Sequence, residues 1–252
     1  MNELIVNQMQ GWVKITLNRP AVKNALNTAL LGAVAGVLTD CAADPDCRAV
    51  LMCGADGNFA AGADVSEIAD KTSAQAAVDP RKSHWAAIRA FPKPLVAAVD
   101  GYALGGGFEL ALLTDFLVLG ADAKLGLPEA NLGLIPGAGG GQRLLALIGR
   151  ARASRLVMLG EVIDANTAYD WGISGWLAEG PAMPLAEELV ARLCSRAPLA
   201  LIAAKAALVA GAEAHLAFGV ERAGFERLMD SNDKARGIAA FKTRSRAVFT
   251  GK

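Results

Sequence analysis

The chain has 252 residues, 53% of them hydrophobic and 20% charged, enough for a large buried core and too apolar for a disordered polymer. Its 25 basic and 25 acidic side chains cancel, so no electrostatic footprint for nucleic acid or an anionic membrane stands out. The four cysteines, Cys41, Cys47, Cys53 and Cys194, have neither zinc-site spacing nor the density of a disulfide scaffold, and read as reduced core thiols of a cytoplasmic protein.

The first residues lack a basic region followed by an apolar stretch, so no secretory signal is expected. Residues 4–6 and Trp12–Leu17 are short β-rich runs on either side of Gly11, and the second alternates inward Val13, Ile15 and Leu17 with outward Lys14 and Thr16. This predicts a hairpin. After Asn18-Arg19-Pro20, Asn27 or Thr28 caps a helix with Leu30, Leu31, Val34, Val37 and Leu38 on one stripe, ending before Asp44-Pro45. Residues 49–53 then read as a buried strand.

Residues 71–81 are polar and rich in small side chains, with Asp79-Pro80 as a breaker, and are expected to form a flexible loop near a pocket. Leu95–Val99 reads as a strand, 106–113 as a helix, Phe116–Leu119 as another strand, with further helices from about 141 onward. Strands alternating with helices argue for a layered α/β core. From 182 to 252 the pattern is almost wholly helical, with runs at 185–196, 199–209 and 218–229. We therefore divide the chain into a core at 1–181 and a helical C-terminal region at 182–252. Glu109 and Asp115, then Pro198 and Lys205, interrupt the longest apolar runs, so no membrane span is predicted.

The chemistry concentrates in glycine-rich turns. Gly101-Tyr-Ala-Leu-Gly105-Gly106-Gly107-Phe-Glu109-Leu-Ala follows a strand and opens a helix, where free N–H groups and the positive helix end suit a developing oxyanion. The same glycines also suit tight packing of helix on strand, and the glycines alone do not choose. Glu109 adds weight to chemistry, because it is the sole charge between Asp100 and Asp115, and a buried carboxylate is costly without a use or a partner. Glu129 is likewise isolated in Gly126-Leu-Pro128-Glu129-Ala-Asn-Leu-Gly133. Alone it reads as a loop carboxylate, but two isolated acids can divide acid and base roles.

Phe59-Ala-Ala-Gly62-Ala63-Asp64-Val-Ser-Glu67 has capping-box spacing at Asp64 and Glu67, with a sharp turn whose N–H groups can face a ligand. Pro136-Gly137-Ala-Gly139-Gly140-Gly141-Gln142-Arg143 is a third glycine-rich turn, and fits neither a dinucleotide fingerprint nor a phosphate loop. With only His84 and His215, no G-x-S-x-G and no ligand cluster, nucleophilic-serine and metal readings find no support. His84 reads as a helix-surface or pocket-wall residue.

Together these segments resemble the enoyl-CoA hydratase (crotonase) family. Phe59-Ala-Ala-Gly-Ala-Asp64, Gly101 through Glu109-Leu-Ala, Leu127-Pro-Glu129, Ile135-Pro-Gly-Ala-Gly-Gly140 and Gly237-Ile-Ala-Ala-Phe241 occur in its order and spacing. The resemblance implies an α/β spiral of repeated β-β-α units with a helical C-terminal region that builds trimers, often paired into hexamers. It further implies hydration of a 2-enoyl-CoA thioester to a 3-hydroxyacyl-CoA by Glu109 and Glu129, the first chiefly the water-activating base. Ala63 and Gly106 would form the oxyanion hole, with Ala61, Asp64, Gly105, Leu127, Pro136 and Gly137 around the substrate. Lys23, Ala25 and Leu26 would meet coenzyme A, which is part of the substrate, so no separate cofactor, metal, nucleic acid or membrane partner is implied. Alternatives on the same scaffold are a double-bond isomerase, a specialised acyl-CoA dehydratase, or a non-catalytic RNA-associated homologue.

Leu17-Asn-Arg-Pro20 and Asn24-Ala-Leu-Asn-Thr-Ala-Leu30 resemble in particular bacterial hydratases of phenylacetate degradation, whose substrate ends in a second carboxylate. Arg81, Lys82 and Arg89 are the candidate cations for such a group, though each also suits a solvated helix face. The sequence departs from the family at Asp100, Leu127, Gly141 and the tail at 241–246. Asp100 and Leu127 are expected to alter pocket polarity, and no coenzyme A contact is carried over to the tail.

Overall fold

The computed structural model describes residues 2–69, 71–210, 232–243 and 245–252. Strands β1 (Leu4–Met9) and β2 (Trp12–Leu17) form the expected antiparallel hairpin, turning at Gly11 with φ of 82°. Val13, Ile15 and Leu17 are buried while Lys14 and Thr16 are half-buried, so the period-two pattern set the faces. Asn27 caps α1 (Thr28–Ala43), its side chain accepting from Leu30 N at 2.7 Å. At the other end the buried Lys93 ammonium donates to the carbonyls of Cys41 and Asp44, at 2.7 and 2.6 Å.

β3 (Ala49–Gly54) lies parallel to β2, and β4 (Leu95–Val99) parallel to β3. Between them residues 71–81 are not the loop expected. Thr72 and Gln75 make a reciprocal capping box that starts the short helix α2 (Ser73–Ala77), and Asp79 binds Lys71 and Arg81. Those polar side chains bond locally, which composition alone cannot reveal. Helix α3 (Arg81–Arg89) then packs on α1, with the His84 ring against Gly32.

After β4 the chain crosses to a second sheet through β5 (Tyr102–Leu104) and enters α4 (Gly106–Ala111), two residues shorter than expected. The next turn repeats this order: β6 (Phe116–Leu119) returns to the first sheet and β7 (Lys124–Gly126) joins β5 in the second. A 3-10 turn, Pro128–Leu132, leads to α5 (Gly140–Met158), which breaks at Gly149. β8 (Val162–Asp164) pairs antiparallel with β7, α6 (Ala165–Asp170) follows, and β9 (Trp176–Leu177) closes the first sheet. The result is a six-stranded sheet, β1-β2-β3-β4-β6-β9, and a three-stranded one, β5-β7-β8. The three-residue strands β5, β7 and β8 carry too short a pattern to be read from sequence.

Both faces of the central strands β3, β4 and β6 are covered, as parallel strands require, while the antiparallel edge strand β1 is largely exposed. Val50, Met52, Ala97 and Val99 face α1 and the second sheet's layer, whereas Leu51, Val96, Ala98 and Val118 face the other way. That outer face is buried by α7 (Met183–Cys194) through Ala186, Leu189, Val190 and Leu193. α8 (Pro198–Val209) is pinned by Lys205, whose ammonium meets Asp115 at 2.7 Å and Lys93 O at 2.9 Å.

The predicted run 218–229 and His215 lie outside the described residues. α9 (Asn232–Thr243) contains the Gly237 segment. The helical pattern was expected to continue to 252, but residues 245–252 are not helical. The Asp233 carboxylate accepts from the amides of Thr250 and Gly251, and Arg48 donates to Phe249 O, so the tail's backbone is committed elsewhere. None of the described helices is long and apolar enough to cross a membrane. All four cysteines are free; Cys41, Cys47 and Cys53 are buried as expected, whereas Cys194 is only half-buried.

One close approach sets the position of α4. A Cβ on Gly107 would stand 2.2 Å from Ala60 O, so the helix rests directly on the backbone of the 60–63 segment. Gly107→Ala is expected to destabilise the chain by about 2–3 kcal/mol or more, through overpacking. Thermal unfolding checks this, and an unchanged midpoint would contradict the packing described.

Candidate active site

The segment 60–64 is bridged on both sides and bends at Gly62, which takes φ 125°. Ala60 N donates to Tyr102 O and Leu104 N to Ala60 O, which lays the segment along β5. On its other edge Leu26 N donates to Gly62 O and Asp64 N to Leu26 O. Across the trans Gly62–Ala63 peptide the N–H points opposite to the carbonyl that meets Leu26, so the Ala63 amide faces away from Leu26. It faces α4, since a Cβ on Gly106 would lie 3.4 Å from Ala63 N.

Gly105 takes φ 49° and ψ −128°, a turn that only glycine adopts without strain, and swings the chain from β5 into α4. The Gly106 amide then stands in the first helical turn, where N–H groups have no partner within the helix. Two amides, from Ala63 and Gly106, are thereby brought to one place.

Glu109 lies one turn along α4, only 4% exposed, between Phe108 and Leu110 at 0%. Its Oε1 accepts from Ala138 N at 2.7 Å and from Gly140 N at 2.9 Å. The third glycine-rich turn, which fitted no ligand motif, is therefore the holder of this carboxylate. A Cβ on Gly140 would sit 2.8 Å from Glu109 Cγ, so glycine is needed for the approach. Arg143 fixes the turn by donating to Ala138 O at 2.9 Å, and burial pulls its guanidinium below its ordinary range. Glu109 Oε2 takes no hydrogen bond from the described residues.

Glu129 stands in the 3-10 turn after Pro128, half-buried, and its Oε2 is a buried oxygen without a partner among the described residues. Burial pushes its carboxyl above the usual range, and the charge of Glu109 adds to the effect. A Cβ on Gly105 would come within 3.1 Å of Glu129 Oε1, so the same glycine that turns the chain leaves room for this carboxylate.

A cleft of about 280 Å³ is lined by Leu26, Ala63, Gly106, Glu109, Glu129 and Gly137, six of the residues named from sequence. Others lie around it. Leu127 is fully buried against Gly140 and Pro136 is half-buried in the same turn. Ala61 is half-buried, its amide bonded to Lys23 O. Lys23 itself holds its ammonium over the Tyr102 ring at 4.3 Å, and Ala25 O accepts from Arg19 at 2.6 Å.

Asp64 does not line the cleft. Its carboxylate meets Ser66 and Arg19, which together lower its pKa, and Glu67 turns to the amide and hydroxyl of Thr28 instead of completing a capping box. Asp100 also departs from the expectation that it alters the pocket, because its Oδ1 accepts from Ala182 N at the start of the C-terminal region. Leu127 likewise packs in the core. Arg81 and Lys82 do line the cleft, whereas Arg89 is exposed on α3 and does not.

Several supporting residues were given no role from sequence. Asn24 is fully buried with φ 58°, donating to Ala55 O and Asn58 O while accepting from Arg19 N. It ties the 19–26 segment to the turn after β3. Trp85, Leu134 and Ile135 supply apolar wall. The acceptors of Asn24 lie 31 and 34 residues away, so spacing carried no signal for its role.

The enoyl-CoA hydratase/isomerase family profile matches residues 7–252. Over its whole length the chain is 43% identical to the whole of 2,3-dehydroadipyl-CoA hydratase from Escherichia coli K12. It is 38% identical to a probable enoyl-CoA hydratase of Mycobacterium leprae, over 98% of this chain and 97% of that one. Among solved structures, enoyl-CoA hydratase from Bacillus anthracis superposes with a TM-score of 0.91 at 34% identity, covering 100% of both chains. The Mycobacterium tuberculosis H37Rv enzyme gives 0.90 at 32% identity, again over both full chains. The spiral of strand pairs and helices, the paired carboxylates and the full-length match make this chain a member of the enoyl-CoA hydratase/isomerase family of enzymes.

Proposed function

We propose that the protein is an enoyl-CoA hydratase that adds water reversibly across the 2,3 double bond of a 2-enoyl-CoA thioester. The observation that carries this reading is the presence of both Glu109 and Glu129 in the one cleft that also holds the Ala63 and Gly106 backbone. No separate cofactor is required by this chemistry. The Escherichia coli relative's named substrate has an acyl chain ending in a second carboxylate, and we take the same substrate class for this chain.

The thioester oxygen is placed between the Ala63 and Gly106 amides, which stabilise the negative charge that grows there as water attacks the β-carbon. One such donor is typically worth about 3–4 kcal/mol. Glu109, its Oε1 anchored by two amides, presents its other oxygen to the attacking water and takes the proton. Glu129, whose environment favours the neutral acid, delivers a proton to the α-carbon. Water is thus divided across the double bond, and transfer of the proton from Glu109 back to Glu129 resets the pair. An isomerase would move the double bond without incorporating oxygen, so product from heavy-oxygen water separates the two reactions.

Exposed Leu132, Ile135, Leu145, Leu147, Met158 and Leu159 on the 128–159 stretch suit contact with further copies of the chain. A homotrimer, alone or paired into a hexamer, is the assembly proposed; light scattering that reads a monomer would overturn it.

Glu109→Gln and Glu129→Gln are each expected to lower kcat by about 100-fold to 10,000-fold, with hydration followed by loss of the conjugated thioester absorbance. A variant within threefold of the parent would remove its assigned role. Glu129 also makes a pH prediction. Its folded-state pKa is raised, so ionising it weakens the fold, and this cost is absent below about pH 4 and grows as pH rises through the raised value. Glu129→Gln should therefore melt higher than the parent at neutral pH, with the gap closing as the buffer approaches pH 4. A gap independent of pH would contradict the assignment.

A further inference from the structure

The end of the cleft formed by α2 and α3 carries charge that the hydration of a double bond does not use. Asp79, Arg81 and Lys82 all line it, together with Leu31, Ile68, Ala76 and Trp85. The Asp79 side chain is 6% exposed and is gripped by two cations. Arg81 donates from Nε to both oxygens at 3.1 Å and from Nη2 to Oδ2 at 2.7 Å, while Lys71 Nζ reaches Oδ2 at 2.6 Å. Arg81 first, then Lys71, holds the Asp79 carboxyl far below the usual carboxylate range, so it stays ionised.

Among the described residues, one carboxylate here stands against two cations, and Lys82, whose ammonium donates to Ala77 O at 3.0 Å, adds a third. Asp79 fixes the Arg81 fork from one side. Nη1 donates to none of the described residues, so a planar anion can meet a guanidinium already held in place. A neutral acyl chain needs only the apolar wall.

We infer that Arg81, held by Asp79 and assisted by Lys82, receives a carboxylate at the far end of the acyl chain and so selects dicarboxylyl-CoA substrates over plain fatty acyl chains. This assignment rests on the proposed acyl-CoA reading and names the residues that would set its substrate class. The phosphates of coenzyme A offer similar anionic chemistry. The acyl carboxylate is chosen because the cations share their wall with Trp85 and Ile68, while Lys23, the cation expected for coenzyme A, stands apart over Tyr102.

Binding of unreactive saturated analogues tests this apart from catalysis. Calorimetry on the full chain with adipyl-CoA and hexanoyl-CoA, which have equal carbon counts, should show adipyl-CoA bound about tenfold tighter or better. Arg81→Leu should bring that ratio close to one, Arg81→Lys should keep part of it, and Lys82→Ala should lower it less. A parental ratio near one overturns the inference, as does a ratio unchanged in Arg81→Leu and Lys82→Ala. Equal weakening of both ligands by Arg81→Leu also overturns it, since that marks a contact with coenzyme A or a structural ion pair. A collapsed ratio in a protein that hydrates no enoyl-CoA would uphold the receptor and remove the hydratase reading alone.

Discussion

A carboxylate inside an apolar helix must be partnered or it destabilises everything around it, and Glu109 is such a group. Its partners are the Ala138 and Gly140 amides. That requirement places the turn before α5 directly over α4, excludes a side chain at Gly140, and gives Arg143 its task of holding the Ala138 carbonyl. The cleft's shape follows, because the same turn brings Gly137 and Ala138 to its edge and Leu127 beneath it.

Absent side chains do comparable work on the other wall. Gly107 lets α4 rest on the Ala60 carbonyl, Gly106 approaches the Ala63 amide, and Gly105 turns the chain while leaving space for Glu129. Three consecutive glycines therefore serve three different neighbours. The same residues that permit close packing expose the amides, so the packing and chemical explanations of the motif are one explanation. Leu26 completes the arrangement by bridging to Gly62 and Asp64, which leaves the Ala63 amide pointing across the cleft.

Charged networks stand on both sides of this centre and illustrate how polar residues are shared between fold and site. Arg19 binds Glu3, Asp64 and the Ala25 carbonyl, securing the segment beside the Ala63 amide from a position outside the cleft. Asp79 binds Lys71 and Arg81 in the stretch whose composition resembled a loop. The first network joins Arg19 to residues brought near by folding, whereas the second is local to one short stretch of chain. Asp100 shows the converse, a polar residue beside a site motif that serves the start of the C-terminal region.

Local pattern by itself determined the hairpin, α1 with its Asn27 cap, the buried strands β3, β4 and β6, and the suspicion attached to two isolated glutamates. Each is a signal of near neighbours: alternation, a helical stripe, a capping side chain, a charge without company. The ordered motifs added the family and its spiral. Only tertiary structure decided that the Pro136–Arg143 glycines hold Glu109, that Asn24 ties two turns together, that Asp64 and Asp100 face away from the cleft, and that the last eight residues leave the helical pattern. The physical reason is range. A hydrogen-bond donor 29 residues from its acceptor leaves no mark on periodicity, and the three-residue strands of the second sheet are too short to repeat one.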